Sequence, residues 1–167
     1  MYMFMTTGTL LFLQTVTDKH PKHDFYYMKS GTSTLVLYES HKKKGIFVSG
    51  RAYEVLHDAG SLQLEGFVAM DVVPVKEDTM RVFEERVAKI LPKLQQMTGL
   101  VALRFMKQVK SNQYMILTQW ESEAYYDRWK TSINYEETNI LSLALLPAYF
   151  AERPFTNLYK MIEEDED

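Results

Sequence analysis

An α+β chain of the split βαβ, ferredoxin-like type is predicted by three features of the sequence. From residue 65 onward the hydrophobic patterning reads β, α, β, β, α, β, the order of that fold. At Thr79 the apolar period changes from strand-like to helical, which marks one long amphipathic helix between two strands. The first half also echoes the second: LVLYES (35–40) leads through a hairpin to AYEVLHD, while LTQWES (117–122) leads directly to AYYDRW. The echo divides the chain into a degenerate ferredoxin-like half, residues 1–64, and a full ferredoxin-like domain, residues 65–167, ending in a strand and an acidic tail. Two such sheets can close into one barrel within a single chain.

Each element has its own justification. Thr9 to Thr17 is rich in Leu, Val, Thr and Phe and reads as a first strand, and the polar DKHPKHD after it as a loop that replaces the long helix of the full unit. FYYM and STLVLYE, separated by Lys29 to Thr32, have hairpin chemistry, and HKKKG turns the chain into GIFVS. RAYEVLHDAG reads as a short helix closed by Gly60. GFVAMDVVPV is apolar on both faces, as a strand covered on both sides should be.

Beyond it, Met80, Phe83, Val87, Ile90, Leu91 and Leu94 recur at three- and four-residue steps, a helix that Pro92 ends or kinks. Gly99 leads into LVALRFMKQV, and Ser111-Asn112 turns that run into QYMILTQW as an antiparallel hairpin. Ser122 caps the helix AYYDRWKTS, with Glu121 and Glu123 beside its positive end. An irregular stretch, NILSLALLPAYFAERP, precedes a last strand, FTNLYKMI, and the closing EEDED reads as a solvated tail.

Composition narrows the function classes. At 167 residues, 46% hydrophobic and 13% aromatic, the chain has ample material for a core. A net charge of −3 with no clustering of its basic residues argues against nucleic acid as a partner. The absence of cysteine removes disulfides and thiolate chemistry and suits a reducing, cytoplasmic compartment. The apolar N-terminus lacks both the basic residues of a leader and the length to cross a bilayer, so no membrane association is expected. No Gly-rich phosphate loop and no G-x-S-x-G motif occurs. His20-x-x-His23-Asp24 has metal-like spacing, but Pro21 in a loop and the lack of further ligands leave no dedicated metal site. His41 to Lys44 reads as a solvated hairpin tip.

With GFVAMDVVPV as first strand, the long helix, the Gly99-Leu100 entry and the joint ILTQWES-x-AYYDRWKTS on the page, the chain resembles the antibiotic biosynthesis monooxygenase superfamily, a dimeric α/β-barrel group. Within it the whole chain is similar to the two-part, haem-degrading and TRAP-like branch. The resemblance implies haem as cofactor and an oxidative opening of the macrocycle by O2 with electrons from an external donor. The haem-degrading members use an Asn on the first strand, a Trp in the helix after the hairpin and an iron-ligating His further on. Those positions fall on Asp71, Trp129 and Asn139.

A carboxamide is a poor iron donor, so Asn139 opens a second reading: a non-catalytic regulatory or ligand-binding protein on the same fold. All four histidines precede residue 58. Of these, His57 is the candidate substitute iron ligand, because the echo sets Ala52 against Ala124 and so places His57 opposite Trp129. Trp129 and Asp71 are then the candidate catalytic residues, and Phe67, Tyr125, Asn139 and His57 join them around a haem or another flat apolar molecule. Asp71 shares a strand face with Phe67, Ala69 and Val73, where a carboxylate is costly unless paired or facing a cavity. Tyr125 and Trp129 lie four apart on one helix face. Trp120 anchors the strand-helix corner, as Tyr38 does in the first copy. An internal repeat favours a monomer that is its own pseudo-dimer.

Overall fold

In a computed structural model that describes residues 1–145 and 151–163, eight antiparallel strands close into one barrel in the order β1-β3-β2-β8-β5-β7-β6-β4. The first half contributes β1 (Tyr2–Gly8), α1 (Leu10–Thr17), β2 (Tyr26–Ser30), β3 (Ser33–Ser40) and β4 (Arg51–Gly60). The second contributes β5 (Phe67–Pro74), α2 (Met80–Leu94), β6 (Leu100–Gln108), β7 (Gln113–Trp120), α3 (Glu123–Lys130), the single turn α4 (Tyr135–Thr138) and β8 (Phe155–Met161). Both halves use the ferredoxin-like arrangement in which the fourth strand lies beside the first: β4-β1-β3-β2 and β8-β5-β7-β6.

The predicted echo is therefore present as topology, and β3 and β7 occupy matching places, as the pairing of Tyr38 with Trp120 requires. Its alignment beyond those strands needs three corrections. Residues 10–17 form a helix, not a strand, because Thr9 caps it, its hydroxyl accepting from the Phe12 N–H, and Leu13 and Thr17 are buried one turn apart. The first strand lies earlier, at Tyr2–Gly8. Arg51–Gly60 is a strand rather than a helix: it pairs with β1 on one side and β6 on the other, with a bulge between Val55 and His57. Gly60 does have positive φ, but it ends a strand, where an added Cβ would sit 2.1 Å from the Val101 carbonyl oxygen.

The element missing from the first half is thus its second helix, not its first. Residues 41–50 run there without helix or strand. They still cover the sheet: the Ile46 N–H donates to the Tyr38 hydroxyl at 2.9 Å, and Phe47 packs edge-on against the Tyr38 ring. Phe4, His23 and Phe25 complete an aromatic cap around Tyr38. In the second half α2 continues past Pro92 to Leu94. The predicted acidic tail beyond Glu163 lies outside the described residues, as does part of the irregular stretch before β8.

Alternation along each strand sorts the core into two layers. The lumen holds residues such as Met70, Val72, Met106 and Leu117, and takes seven of the chain's ten methionines. Flexible, unbranched side chains suit so irregular an interior. The other faces of β5, β6 and β7 meet α2 and α3 through Phe67, Ala69, Phe105, Ile116, Phe83 and Val87. One ion pair spans the barrel from half to half: Arg104 on β6 donates to both carboxylate oxygens of Glu39 on β3, at 2.9 and 3.3 Å. No helix among the described residues is long and apolar enough to cross a membrane.

Candidate functional site

The outer face of β5 presents Phe67, Ala69 and Val73 to the helices, and the same parity carries Asp71 into that layer. Asp71 is buried, opposite Thr156 on β8 and Ile116 on β7. The Thr156 hydroxyl donates to Asp71 Oδ1 at 2.5 Å. Burial raises the Asp71 pKa to about 6, against the opposing effects of the Thr156 hydrogen bond and the Lys130 ammonium.

Over this strand lies α3, opened at Ser122 in extended conformation. It buries Tyr126 and Trp129, three residues apart on one face. The Trp129 ring stacks on Trp120 at 5.2 Å, lies 5.9 Å from Tyr126 and meets Tyr135 edge-on at 4.9 Å. Its indole N–H donates to the Thr138 hydroxyl at 2.8 Å, and Thr138 in turn donates to the Asn134 carbonyl. Asn139 follows directly, buried; its Oδ1 accepts the Leu141 N–H at 3.0 Å, and its side chain also hydrogen-bonds the Tyr135 phenol.

Most of the residues singled out from sequence therefore converge. Asp71 lies close enough to Tyr126 and Tyr135 to raise both phenols electrostatically, on top of the larger effect of burial. Phe67 packs against Tyr126 at 5.4 Å. Two residues do not join. Tyr125 turns the other way, over Gly99, with the Arg128 guanidinium 5.0 Å from its ring centre. His57 is exposed on β4 and stacks on Phe105 at 6.1 Å, so the helical position opposite Trp129 inferred from the echo is corrected. Tyr126, Tyr135, Thr138 and Thr156 join the cluster beyond the residues expected from sequence. Tyr126 was detectable by its three-residue spacing from Trp129, whereas the other three are brought in by the chain's return through α4 and β8.

The donor set decides whether haem iron fits. The Asn139 carboxamide oxygen already accepts a backbone N–H, and it is a poor iron donor in any case. Tyr126 and Tyr135 have phenols that burial holds protonated, and no imidazole belongs to the cluster. These residues do not fit an iron site of the histidine-ligated kind. What they bring together is one buried carboxyl, hydrogen-bonded to Thr156, beneath a layer of packed aromatic rings.

Residues 59–139 match the family model described as antibiotic biosynthesis monooxygenase. The chain is 25% identical over 140 residues to a heme-degrading monooxygenase of Listeria monocytogenes serovar 1/2a, covering 83% of each chain. It is equally 25% identical over 150 residues to the signal transduction protein TRAP of Staphylococcus epidermidis, covering 90% of this chain and 88% of that one. Among solved structures, a major regulator of staphylococcal pathogenesis superposes with a TM-score of 0.87 at 19% identity, over 98% of this chain and all of the other, a likeness of fold.

Proposed function

We propose that this chain, whose residues 59–139 match the antibiotic biosynthesis monooxygenase model, is a regulatory or ligand-binding relative of that family without histidine-ligated haem chemistry. The observation that carries the reading is position 139. The residue there is a buried asparagine whose oxygen is committed to the Leu141 N–H, and Trp129 beside it is held by Thr138 and Trp120. Such a site is organised around its own hydrogen bonds rather than around a metal. The barrel closes within the chain, and we take the working unit to be a monomer, which sedimentation at several concentrations would establish.

A second reading, a haem-binding and haem-degrading monooxygenase, is favoured by Asp71. With its pKa raised to about 6, this side chain becomes a neutral carboxylic acid in mildly acidic solution. It then matches in shape, and in having one donor and one acceptor face, the Asn that haem-degrading relatives carry. Trp129 is retained beside it.

Haemin titration separates the two. Under the first reading wild-type protein gives no saturable Soret shift at micromolar haemin, and Asn139→His gains one. A wild-type Soret shift that is bleached by ascorbate and oxygen would establish the second reading instead. Exposed His57 is peripheral under both, so His57→Ala leaves either result unchanged.

A further inference from the structure

On the other half of the barrel, α1 turns a stripe of side chains four residues apart, Leu10, Gln14 and Asp18, toward a cavity of about 600 Å³. The adjoining face of the helix buries Leu13 and Thr17. Across the cavity lie Tyr27 on β2, the end of β8 from Met161 to Glu163, and Leu64 from the segment joining the two halves. The wall is fixed: the Ile162 N–H donates to the Tyr27 carbonyl at 2.9 Å, and the Tyr27 and Thr17 hydroxyls share a short hydrogen bond. The volume falls within the range of small-molecule sites, and the cavity sits at the seam between two halves, where such sites are common.

Its apolar rim is open to solvent, Leu11 being 77% and Leu64 56% exposed. Its charged lining residues, Asp18 and Glu163, are both carboxylates. Asp18 also caps the C-terminus of α1, the end that carries negative partial charge, and Lys19 follows it directly.

We propose that this cavity binds a small amphipathic cation, an apolar body carrying one protonated amine, with the body on Leu11 and Leu64 and the ammonium facing Asp18 and Glu163. Haem and other carboxylated macrocycles are of the wrong sign for it. The site is separate from the Trp129 cluster and stands whichever reading of that cluster holds.

Fluorescence titration of the full chain with dansylcadaverine, dansyl amide and 8-anilinonaphthalene-1-sulfonate tests this, since the three probes are cationic, neutral and anionic. Saturable binding of dansylcadaverine is expected, about fivefold or more tighter than dansyl amide, with the sulfonate weakest. Asp18→Asn combined with Glu163→Gln should remove that preference while leaving dansyl amide affinity unchanged, and Leu11→Ser should weaken both. Glu163→Gln alone, together with loss of the preference at high salt, serves if the double variant folds poorly. Equal affinity for all three probes, a preference that survives the charge removal, or no saturable binding below about 1 mM would overturn the proposal.

Discussion

The Thr156 hydroxyl on β8 and the Asp71 carboxylate on β5 face each other across one strand pair, 2.5 Å apart, beneath the aromatic layer of α3. One hydroxyl does not replace the water that a carboxylate loses on burial, and the acid is accordingly held at a pKa near 6, against 3.8 when free. The native state therefore binds an extra proton between those values. Stability contributed by this group is present at pH 4 and is lost as pH rises toward and through 6. Asp71→Asn should flatten that slope and raise stability at pH 7 by about 2–3 kcal/mol, with little gain at pH 4. Urea unfolding at pH 4, 5, 6 and 7 provides the measurement, and equal gains at all four would contradict it.

The hydrogen bond from Trp129 to Thr138 is buried, so removing the acceptor strands an indole N–H in an apolar layer. Thr138→Val should cost about 1–3 kcal/mol. Trp129→Ala, which also leaves a cavity against Trp120, should cost about 3–5 kcal/mol. With only two tryptophans in the chain, both losses can be followed by Trp emission during chemical denaturation.

Glu39 and Arg104 connect the two halves through the barrel, with side chains only 19% and 5% exposed. Arg104 also donates to the carbonyls of Ala59 and Leu103. Arg104→Met alone would leave Glu39 unpaired and should lose about 3–5 kcal/mol, whereas adding Glu39→Leu should recover much of it. A double-mutant cycle in urea reads this directly; a double variant no better than the Arg104 single would show that the backbone contacts dominate.

Gly99 has φ +88, and a Cβ there would lie 2.3–2.5 Å from the Tyr125 ring and its Cβ. Gly99→Ala therefore combines a left-handed backbone with a clash against α3, and a loss of about 2 kcal/mol or more is expected in thermal melts. Restoration by Tyr125→Ala in the same background would identify the clash as the larger part.

The two halves differ in how much of their structure is legible in the sequence. In the second, β5, α2, the β6–β7 hairpin, α3 and β8 were all readable, because each apolar pattern is long or is bounded by a recognisable turn or cap. In the first, Leu10–Thr17 mixes Leu, Phe, Val and Thr with no charged residue to mark an outer face, so composition favoured a strand while the Thr9 cap produced a helix. Gly60 misled in the opposite direction: a glycine with positive φ serves a strand end as well as a helix end. At the site, Asp71, Trp129 and Asn139 were recognised through their spacing within one resemblance, while Thr156 and Tyr135 come from segments whose approach no local pattern records.

What the sequence by itself determined is the parity of β5 that turns Asp71 toward the helices, the α3 stripe that buries Trp129, and an asparagine at 139, the position on which the resemblance sets an iron-ligating histidine. Only the tertiary structure decided that the barrel closes within one chain, that Asp71 finds Thr156 and not a cation as its direct partner, and that His57 lies away from Trp129 on β4. The reason is physical. Periodicity and capping are set by neighbours along the chain, whereas the partner of a buried polar group is set by which strands are brought side by side, and β8 reaches β5 across 85 residues of sequence.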